Sequence, residues 1–271
     1  MGDKGLRVSY GKYVYEHVPG WGSLPDGWEW NHAVGVAVDG QDRIFVYNRS
    51  AHPIIVLDTD GNMINHWGEG LFGSAHHIEA GPDGSLYTTD IGDHTVRKWT
   101  AEGELLMMLG TPNDPPEMFS GEPFNRPTDI AIAGDGSLYI SDGYGNARIH
   151  HFHGDGRADK VFTPDGQYLS EWGGVHRPDH IVQGPDGNMF VTDLGFHQGL
   201  GPDQPSPNAL SHPAGVKILT PTGQWLGGWG MSSDTPGDII AGHAVAMDSN
   251  GDLYVGETLD GARVQKFARV A

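Results

Sequence analysis

Tyr144 is the residue of this sequence whose position most suggests chemistry rather than packing. It lies between two glycines in SDGYGN, directly after an apolar run that ends in Asp142. A phenol with the ordinary pKa near 10 stays protonated at neutral pH, so acid–base work by Tyr144 would require a cation close to its oxygen. Arg49 follows the apolar run that ends in Asn48 and is therefore a candidate cation at a comparable level. The alternative is that Tyr144 caps a hairpin and Arg49 pairs with surface carboxylates.

Four histidines and one aspartate form a second set of candidate residues. His76, Asp179 and His243 each lie eight residues before the glycine of an Asp-Gly or Asn-Gly turn, and His77 and His180 occupy the next position. Neutral imidazoles and carboxylates are ligands of divalent transition metals. If a strand has begun at these positions, its alternation predicts that His77 points away from His76. The alternative is that each is a polar group hydrogen-bonded to water.

The elements that must position these residues are copies of one hairpin. The copies are VAVDGQDRIFVYN (36–48), IEAGPDGSLYTTD (78–90), IAIAGDGSLYISD (130–142), IVQGPDGNMFVTD (181–193) and VAMDSNGDLYVGE (245–257). Their alternation of apolar and polar residues around a turn is typical of β-hairpins. Most copies are followed by two more strands that end in Trp-Gly or Leu-Gly, as in VLDTDGNMINHWG (56–68). Such internal repetition indicates a repeat architecture.

The repeats predict an all-β protein, a single β-propeller domain over residues 1–271. The hairpin repeats lie near 34–70, 76–110, 126–173, 178–230 and 241–268. The last repeat lacks a fourth strand, and the N-terminal strand 13–22 is expected to complete it, which closes the propeller without an open sheet edge. Between Asp142 and Trp172, RIHHF and ADKVF both resemble a third strand. The surplus is too short for a further blade, so five blades are favoured over six.

Composition and charge exclude several classes of partner. The chain has 16 Lys and Arg against 35 Asp and Glu, a formal net charge of −19, which disfavours nucleic acid and anionic membranes. It has no cysteine, so disulfides and thiolate chemistry are excluded. No apolar run reaches membrane length and no signal peptide is recognisable, so a cytoplasmic protein is expected. The predicted partner is a small molecule; the sequence carries no signal for an oligomeric state.

The repeats resemble NHL repeats, and one branch of that family resembles the chain more closely: the peptidyl-α-hydroxyglycine α-amidating lyases and their bacterial relatives. The segments that carry the resemblance are FNRPTDIAIAGDGSLYISDGYGNARI (124–149), IFVYNRSAH (44–52), LYTTDIGDHTVRKW (86–99) and GHAVAMDSNGDLYVGE (242–257). A generic NHL propeller would share the Asp-Gly turns but not SDGY together with the arginine of YNRSAH.

The resemblance implies roles for Tyr144 and Arg49, and the position of Asp129 suggests a supporting role. Tyr144 would stand over the central cavity as the catalytic base, and Arg49 would stand nearby and lower its pKa. Asp129, in the PTD segment, would orient either the metal ligands or the substrate.

The resemblance also implies a zinc ion held by three histidines. His76 and His243 match two of the family's ligand positions, and the third ligand is either Asp179 or His180. Iron or manganese would also suit a set of histidines and a carboxylate. Calcium is not expected, because Ala244 stands where the lyases have an aspartate.

The leading functional hypothesis is a metal-dependent, lyase-like enzyme. It would cleave a carbinolamide-type C–N bond, or a similar C–X bond, of a small hydroxylated substrate in the central cavity of the propeller. The alternatives are a metal-dependent hydrolase or hydratase acting on a small anionic molecule, a gluconolactonase-like hydrolase, and a non-catalytic NHL binding platform. Candidate imidazoles outnumber carboxylates, which disfavours the gluconolactonase-like calcium site, and 16 cationic residues offer little for a basic binding groove.

Overall fold

A computed structural model describes residues 6–120, 122–132, 136, 138–142, 144–146, 148–152, 158–162, 178–194, 213–220, 223–231, 233 and 235–270. These residues form strands and turns, which confirms the predicted all-β class. Within those ranges, no helix is long and apolar enough to cross a membrane.

The described residues contain 21 strands. In chain order they are β1 (Arg7–Tyr10), β2 (Tyr13–His17), β3 (Ala33–Val38), β4 (Ile44–Asn48), β5 (Ile54–Leu57), β6 (Met63–Trp67), β7 (Ala75–Ala80), β8 (Leu86–Asp90), β9 (Thr95–Trp99), β10 (Leu105–Leu109), β11 (Asp129–Ile132), β12 (Leu138–Asp142), β13 (Arg148–Phe152), β14 (Ala158–Phe162), β15 (Pro178–Gln183), β16 (Met189–Asp193), β17 (Gly215–Leu219), β18 (Trp225–Trp229), β19 (Gly242–Met247), β20 (Leu253–Glu257) and β21 (Arg263–Arg269).

The strands are joined into five antiparallel sheets, one for each predicted hairpin repeat. One compact unit, Val34–Thr59 with Met63–Leu169, holds the sheets β3-β4-β5-β6, β10-β9-β8-β7 and β11-β12-β13-β14. The other, Met1–Ala33 with Asp60–Asn62 and Ser170–Ala271, holds β15-β16-β17-β18 and the five-stranded sheet β1-β2-β21-β20-β19. The single domain over residues 1–271 stays a prediction.

The N-terminal segment completes the last sheet, as the sequence predicts. Strand β2 pairs antiparallel with β21, with Tyr15 opposite Arg269 and His17 opposite Phe267. The predicted strand 13–22 is shorter than expected, because it ends at His17. A further strand, β1, pairs with β2 and was not predicted.

The third repeat uses its strands differently from the prediction. Both RIHHF and ADKVF are strands, β13 and β14, and they pair with each other, Ile149 opposite Phe162. The fourth strand of the described sheet is therefore ADKVF, and the expected terminal strand that ends at Trp172 cannot be compared with it. Residues 163–173 lie outside the described part of the chain.

Neighbouring sheets within the first unit pack through their inner strands and through the Trp-Gly strand ends. A Cβ atom on Gly35 of β3 would lie 2.9 Å from the backbone nitrogen of Ile78 in β7, so only glycine permits this approach. The rings of Trp67 and Trp99 lie 5.3 Å apart. The turn at Gly103, with φ of +90°, packs its backbone directly on Trp67. Burial of such aromatic side chains supplies about 1.5–3 kcal/mol each.

Most of the sheets show a buried polar side chain at the end of the second strand, and it binds the backbone of an adjoining loop. The clearest case is Asp90, which is 1% exposed. Its Oδ1 accepts hydrogen bonds from the N–H groups of Ser74, Gly92 and Asp93, and its Oδ2 accepts one from Gly73. The carboxylate therefore holds the loop that enters β7 against the turn that leaves β8.

We predict that Asp90→Ala lowers the free energy of unfolding by about 3 kcal/mol or more, because it leaves four backbone N–H groups without their acceptor. Asp90→Asn should lose less, since one carbonyl oxygen remains. Urea denaturation of the purified variants measures both losses. Asp114→Ala, at an exposed position, is the control and should change stability by less than about 0.5 kcal/mol.

Candidate catalytic site

The turn that carries Tyr144 is held in place by the carboxylate of Asp142. That carboxylate is fully buried and accepts hydrogen bonds from the backbone N–H of Asn125 and from the side-chain amide of Asn146. Gly145 packs so closely on Asn125 that a Cβ atom would lie 2.3 Å from its carbonyl oxygen. Tyr144 itself is 54% exposed, so the turn presents the ring rather than burying it.

His76 lies directly beside Tyr144. Its Nε2 is 3.2 Å from the phenol oxygen, and the two rings meet edge to face at 5.4 Å. On the other side of the imidazole, Nδ1 donates to the carbonyl oxygen of Thr128 at 2.8 Å, which leaves Nε2 as the acceptor of the Tyr144 hydroxyl. Burial lowers the pKa of His76 to about 4, against the partial opposition of the Thr128 hydrogen bond. His76 is therefore neutral at physiological pH.

Two arginines flank the tyrosine. Arg49 is anchored by a hydrogen bond from its Nε to the carbonyl oxygen of Ala75 at 2.9 Å. Burial lowers the pKa of Arg49, and its electrostatic interaction with Tyr144 is the largest influence that raises it. Arg126 lies over the Tyr144 ring, with its Cζ 5.7 Å from the ring centroid. Both cations therefore act on the same side chain.

Strand alternation predicts that the side chain of His77 points away from that of His76. The structure differs from this prediction. A β-bulge between Ala75 and His77 interrupts the alternation, so both imidazoles face β11. Nε2 of His77 lies 3.1 Å from Oδ1 of Asp129. Burial acts to lower the pKa of His77, but the carboxylates of Asp129 and Glu79 outweigh it and raise the pKa. Nε2 of His77 and the carboxylate of Asp129 are thus paired next to His76.

The other three candidate ligands lie together in the second unit. Nε2 of His243 is 3.8 Å from Oδ1 of Asp179. The backbone N–H of Val245 donates to Nδ1 of His180 at 3.2 Å. Because Nδ1 of His180 is the acceptor, the neutral ring carries its proton on Nε2. The side chain of Thr192 binds the carbonyl oxygens of both His180 and His243.

His76, Asp179 and His243 occupy the same position in their own sheets. In each case the register of the inner strand shifts across this residue, so that it forms a β-bulge opposite the second strand. The bulge shows that Asp179, rather than His180, is the structural counterpart of the two histidines. Counting eight residues back from the turn glycine therefore identifies the same structural position in each of these three sheets.

Sequence reasoning did not find Arg126 or the contribution of Thr128. Arg126 adopts φ of +65°, which is uncommon for a residue other than glycine, and its N–H donates to Nδ1 of His94. The carbonyl of Thr128 accepts hydrogen bonds from His76 and from Thr89. Its contribution lies in the backbone and leaves no side-chain signal. Arg126 had one signal, namely its place directly before the PTD segment.

Comparison with known proteins supports the resemblance seen in the sequence. Residues 124–152 match the NHL repeat family model. A probable peptidyl-α-hydroxyglycine α-amidating lyase of Caenorhabditis elegans is 34% identical over 107 residues, which cover 38% of this chain and 29% of that protein. Human NHL repeat-containing protein 3 is 24% identical over 234 residues, which cover 80% of this chain and 60% of that protein. The chain thus spans less than a third of the first relative and three-fifths of the second.

Among solved structures, a streptogramin B lyase matches with a TM-score of 0.55 and 13% identity, over 94% of this chain and 97% of that one. At this identity the likeness shows the fold alone. It confirms the predicted β-propeller class. The NHL repeat and the similarity to amidating lyases are also confirmed.

We predict that His76 in the metal-free protein titrates near pH 4 rather than at the ordinary value of 6.5. Between these values the unfolded chain binds a proton that the folded protein does not, so His76 lowers stability as pH falls from 6.5 to 4 and has no such effect above 6.5. NMR titration of the His76 ring, assigned by comparison with His76→Gln, measures the pKa. A midpoint near 6.5 would contradict the buried, neutral imidazole.

Proposed function

We propose that the protein is a lyase-like enzyme that uses Tyr144 as its base and cleaves the C–N bond of a small carbinolamide-type substrate. The observation that carries this proposal is the grouping of an exposed phenol, a neutral imidazole and two guanidinium groups at the end of β12. A tyrosine with only a capping role would not require two cations near it. The similarity to an amidating lyase supports the same reaction class.

Arg49 and Arg126 supply what the phenol needs to act as a base. His76 is too weak a base to remove the phenol proton at neutral pH, because its pKa is about 4. The positive charge of Arg49, held on the Ala75 carbonyl, stabilises the phenolate instead. Arg126, over the ring face, adds a second favourable interaction. The phenolate is then available to take the proton of a substrate hydroxyl.

The reaction balances without an oxidant or reductant. Tyr144 takes the proton from the hydroxyl of R–CO–NH–CH(OH)–R′, the oxygen forms a carbonyl double bond, and the C–N bond breaks. The departing amide nitrogen takes the proton back from Tyr144. The products are an amide, R–CO–NH₂, and an aldehyde, OHC–R′. An anionic R′ group would be stabilised by the guanidinium of Arg126.

His76 fits the role of a transition-metal ligand. Its Nδ1–H donates to a backbone carbonyl, which is the arrangement that orients a ligating histidine and leaves Nε2 for the metal. When bound, zinc, or iron or manganese in its place, would act as a Lewis acid on the substrate hydroxyl or carboxylate. From the sequence resemblance to the lyases, His243 is proposed as a second ligand; in its own sheet it holds a bulge position.

For the third ligand we propose Asp179 rather than His180. Asp179 stands at the bulge position of β15, and its carboxylate oxygens are suitable donors to a divalent cation. His180 accepts the N–H of Val245 at Nδ1, so its Nε2 carries the ring proton and offers no lone pair. His77 is committed to Asp129, whose carboxylate orients it.

We predict that Tyr144→Phe lowers kcat/KM for an N-acyl-α-hydroxyglycine by about 10²–10⁴-fold, because the phenol oxygen is the proton acceptor. Glyoxylate release, coupled to an NADH-dependent reductase, measures the rate. Tyr139→Phe removes the hydroxyl of another partly exposed tyrosine on β12 and is the matched control, with full activity expected. Equal activity of Tyr144→Phe and wild type would overturn the assigned base. No glyoxylate from the wild-type protein would overturn this reaction.

We predict that the His76→Gln, His243→Gln double variant holds one equivalent less of zinc, iron or manganese than the wild-type protein purified in parallel. Elemental analysis measures the stoichiometry independently of activity. His17→Gln, which changes a buried histidine outside the candidate set, is the control. Equal metal content in the double variant and the wild type, with both folded by circular dichroism, would contradict the metal-dependent reaction.

A further inference from the structure

A second group of ligand-type side chains lies on the sheet β3–β6, among residues that the proposed reaction does not use. His52 lies in the loop between β4 and β5, His66 is in β6, and Glu69 follows β6 in the next turn. The donor atoms of these three side chains all lie within 4.8 Å of one another. Two imidazoles and a carboxylate are a donor set typical of zinc sites.

The distances are close to those that a metal ion requires. Oε1 of Glu69 lies 3.1 Å from Nδ1 of His52 and 2.8 Å from Nδ1 of His66. In a tetrahedral site with bonds of about 2.0–2.1 Å, neighbouring donor atoms stand about 3.3 Å apart. A displacement of about 0.5 Å or less in these two contacts would match that spacing, and the donor atoms of the two histidines lie within 4.8 Å of each other. The two imidazole rings are nearly perpendicular, at 85°, with centroids 5.7 Å apart.

The backbone holds each ligand before any ion binds. The amide of Asn48 donates to the carbonyl oxygen of His52, and the N–H of His52 donates to the hydroxyl of Ser50, so the loop is fixed. Glu69 lies between Gly68 and Gly70, whose φ angles are +100° and +73°. These left-handed residues turn the chain back and bring the carboxylate to His66, three residues earlier.

We propose that His52, His66 and Glu69 form a surface site for one zinc-type divalent ion, with water completing the coordination. Imidazole nitrogen favours zinc, cobalt, nickel and copper over magnesium and calcium. The side chains are 27%, 42% and 43% exposed, so the ion could enter from solvent.

An ion in this site would connect the β4–β5 loop to the turn after β6. That loop begins with Arg49, whose side chain reaches the Ala75 carbonyl. The ion would therefore brace the backbone next to Arg49 without touching Tyr144. The site stands on its own donor atoms and does not depend on the proposed reaction.

The test is a titration of chelator-treated protein with Zn²⁺ and with Co²⁺. We expect the wild-type protein to bind one equivalent more than the His52→Gln, His66→Gln double variant, and Glu69→Gln to weaken binding at that site by about 10-fold or more. Glu104→Gln, at an exposed glutamate in the turn between β9 and β10, is the matched control and should bind as wild type does. Zn²⁺ should raise the Tm of the wild-type protein more than that of the double variant.

The same comparison in a His76→Gln, His243→Gln background separates this site from the one in the proposed reaction. In that background, protein with His52 and His66 should still bind one equivalent of metal more than protein in which both are replaced by Gln. If folded wild-type protein and the His52→Gln, His66→Gln variant bind equal amounts of Zn²⁺ and Co²⁺, the surface site is overturned. That result would leave the stoichiometry assigned to His76 and His243 unchanged.

Discussion

The structure depends on one constraint: a carboxylate buried at the end of a strand must be saturated with hydrogen bonds. An unpaired buried carboxylate would cost several kcal/mol. Asp90 meets this requirement with four backbone N–H groups, and Asp142 with Asn125 and Asn146. Glu257 does so with the N–H groups of Ile240 and Ala241 and with Arg263. Each buried acid therefore fixes a loop at the start of the inner strand of its own sheet.

The candidate catalytic residues lie beside these fixed loops. Tyr144 follows Asp142 by two residues, and His76 is in the inner strand whose entry loop Asp90 holds. Because the loop backbones are anchored, the phenol oxygen of Tyr144 lies 3.2 Å from Nε2 of His76. The scaffold places the reactive groups, and burial keeps one of them, His76, neutral. His76 stays neutral, while the guanidinium group of Arg49 provides a positive charge near the Tyr144 ring.

Part of this arrangement could be read from the sequence because it is local. Apolar alternation and Asp-Gly turns specify a hairpin over about a dozen residues, and the distance from the turn glycine gives the register of His76 and Asp179. The bulge at those positions could not be read, because it depends on pairing with the second strand. The predicted direction of the His77 side chain is therefore wrong. The assignment of ADKVF as β14 also depended on pairing, since two adjacent segments matched the strand pattern equally well.

The net negative charge of the protein makes the positive charge of Arg126 important for binding an anionic substrate, although Arg126 is exposed. With a formal net charge of −19, the protein as a whole repels an anionic substrate. For the proposed reaction, a carboxylate at the third ligand position would add one more negative charge than a third imidazole would. A carboxylate-bearing substrate can then be held only by cations close to the reacting bond. Arg49 is committed to the Ala75 carbonyl and, in the proposed reaction, to the phenolate, so we propose that Arg126, over the Tyr144 ring, would select such a substrate.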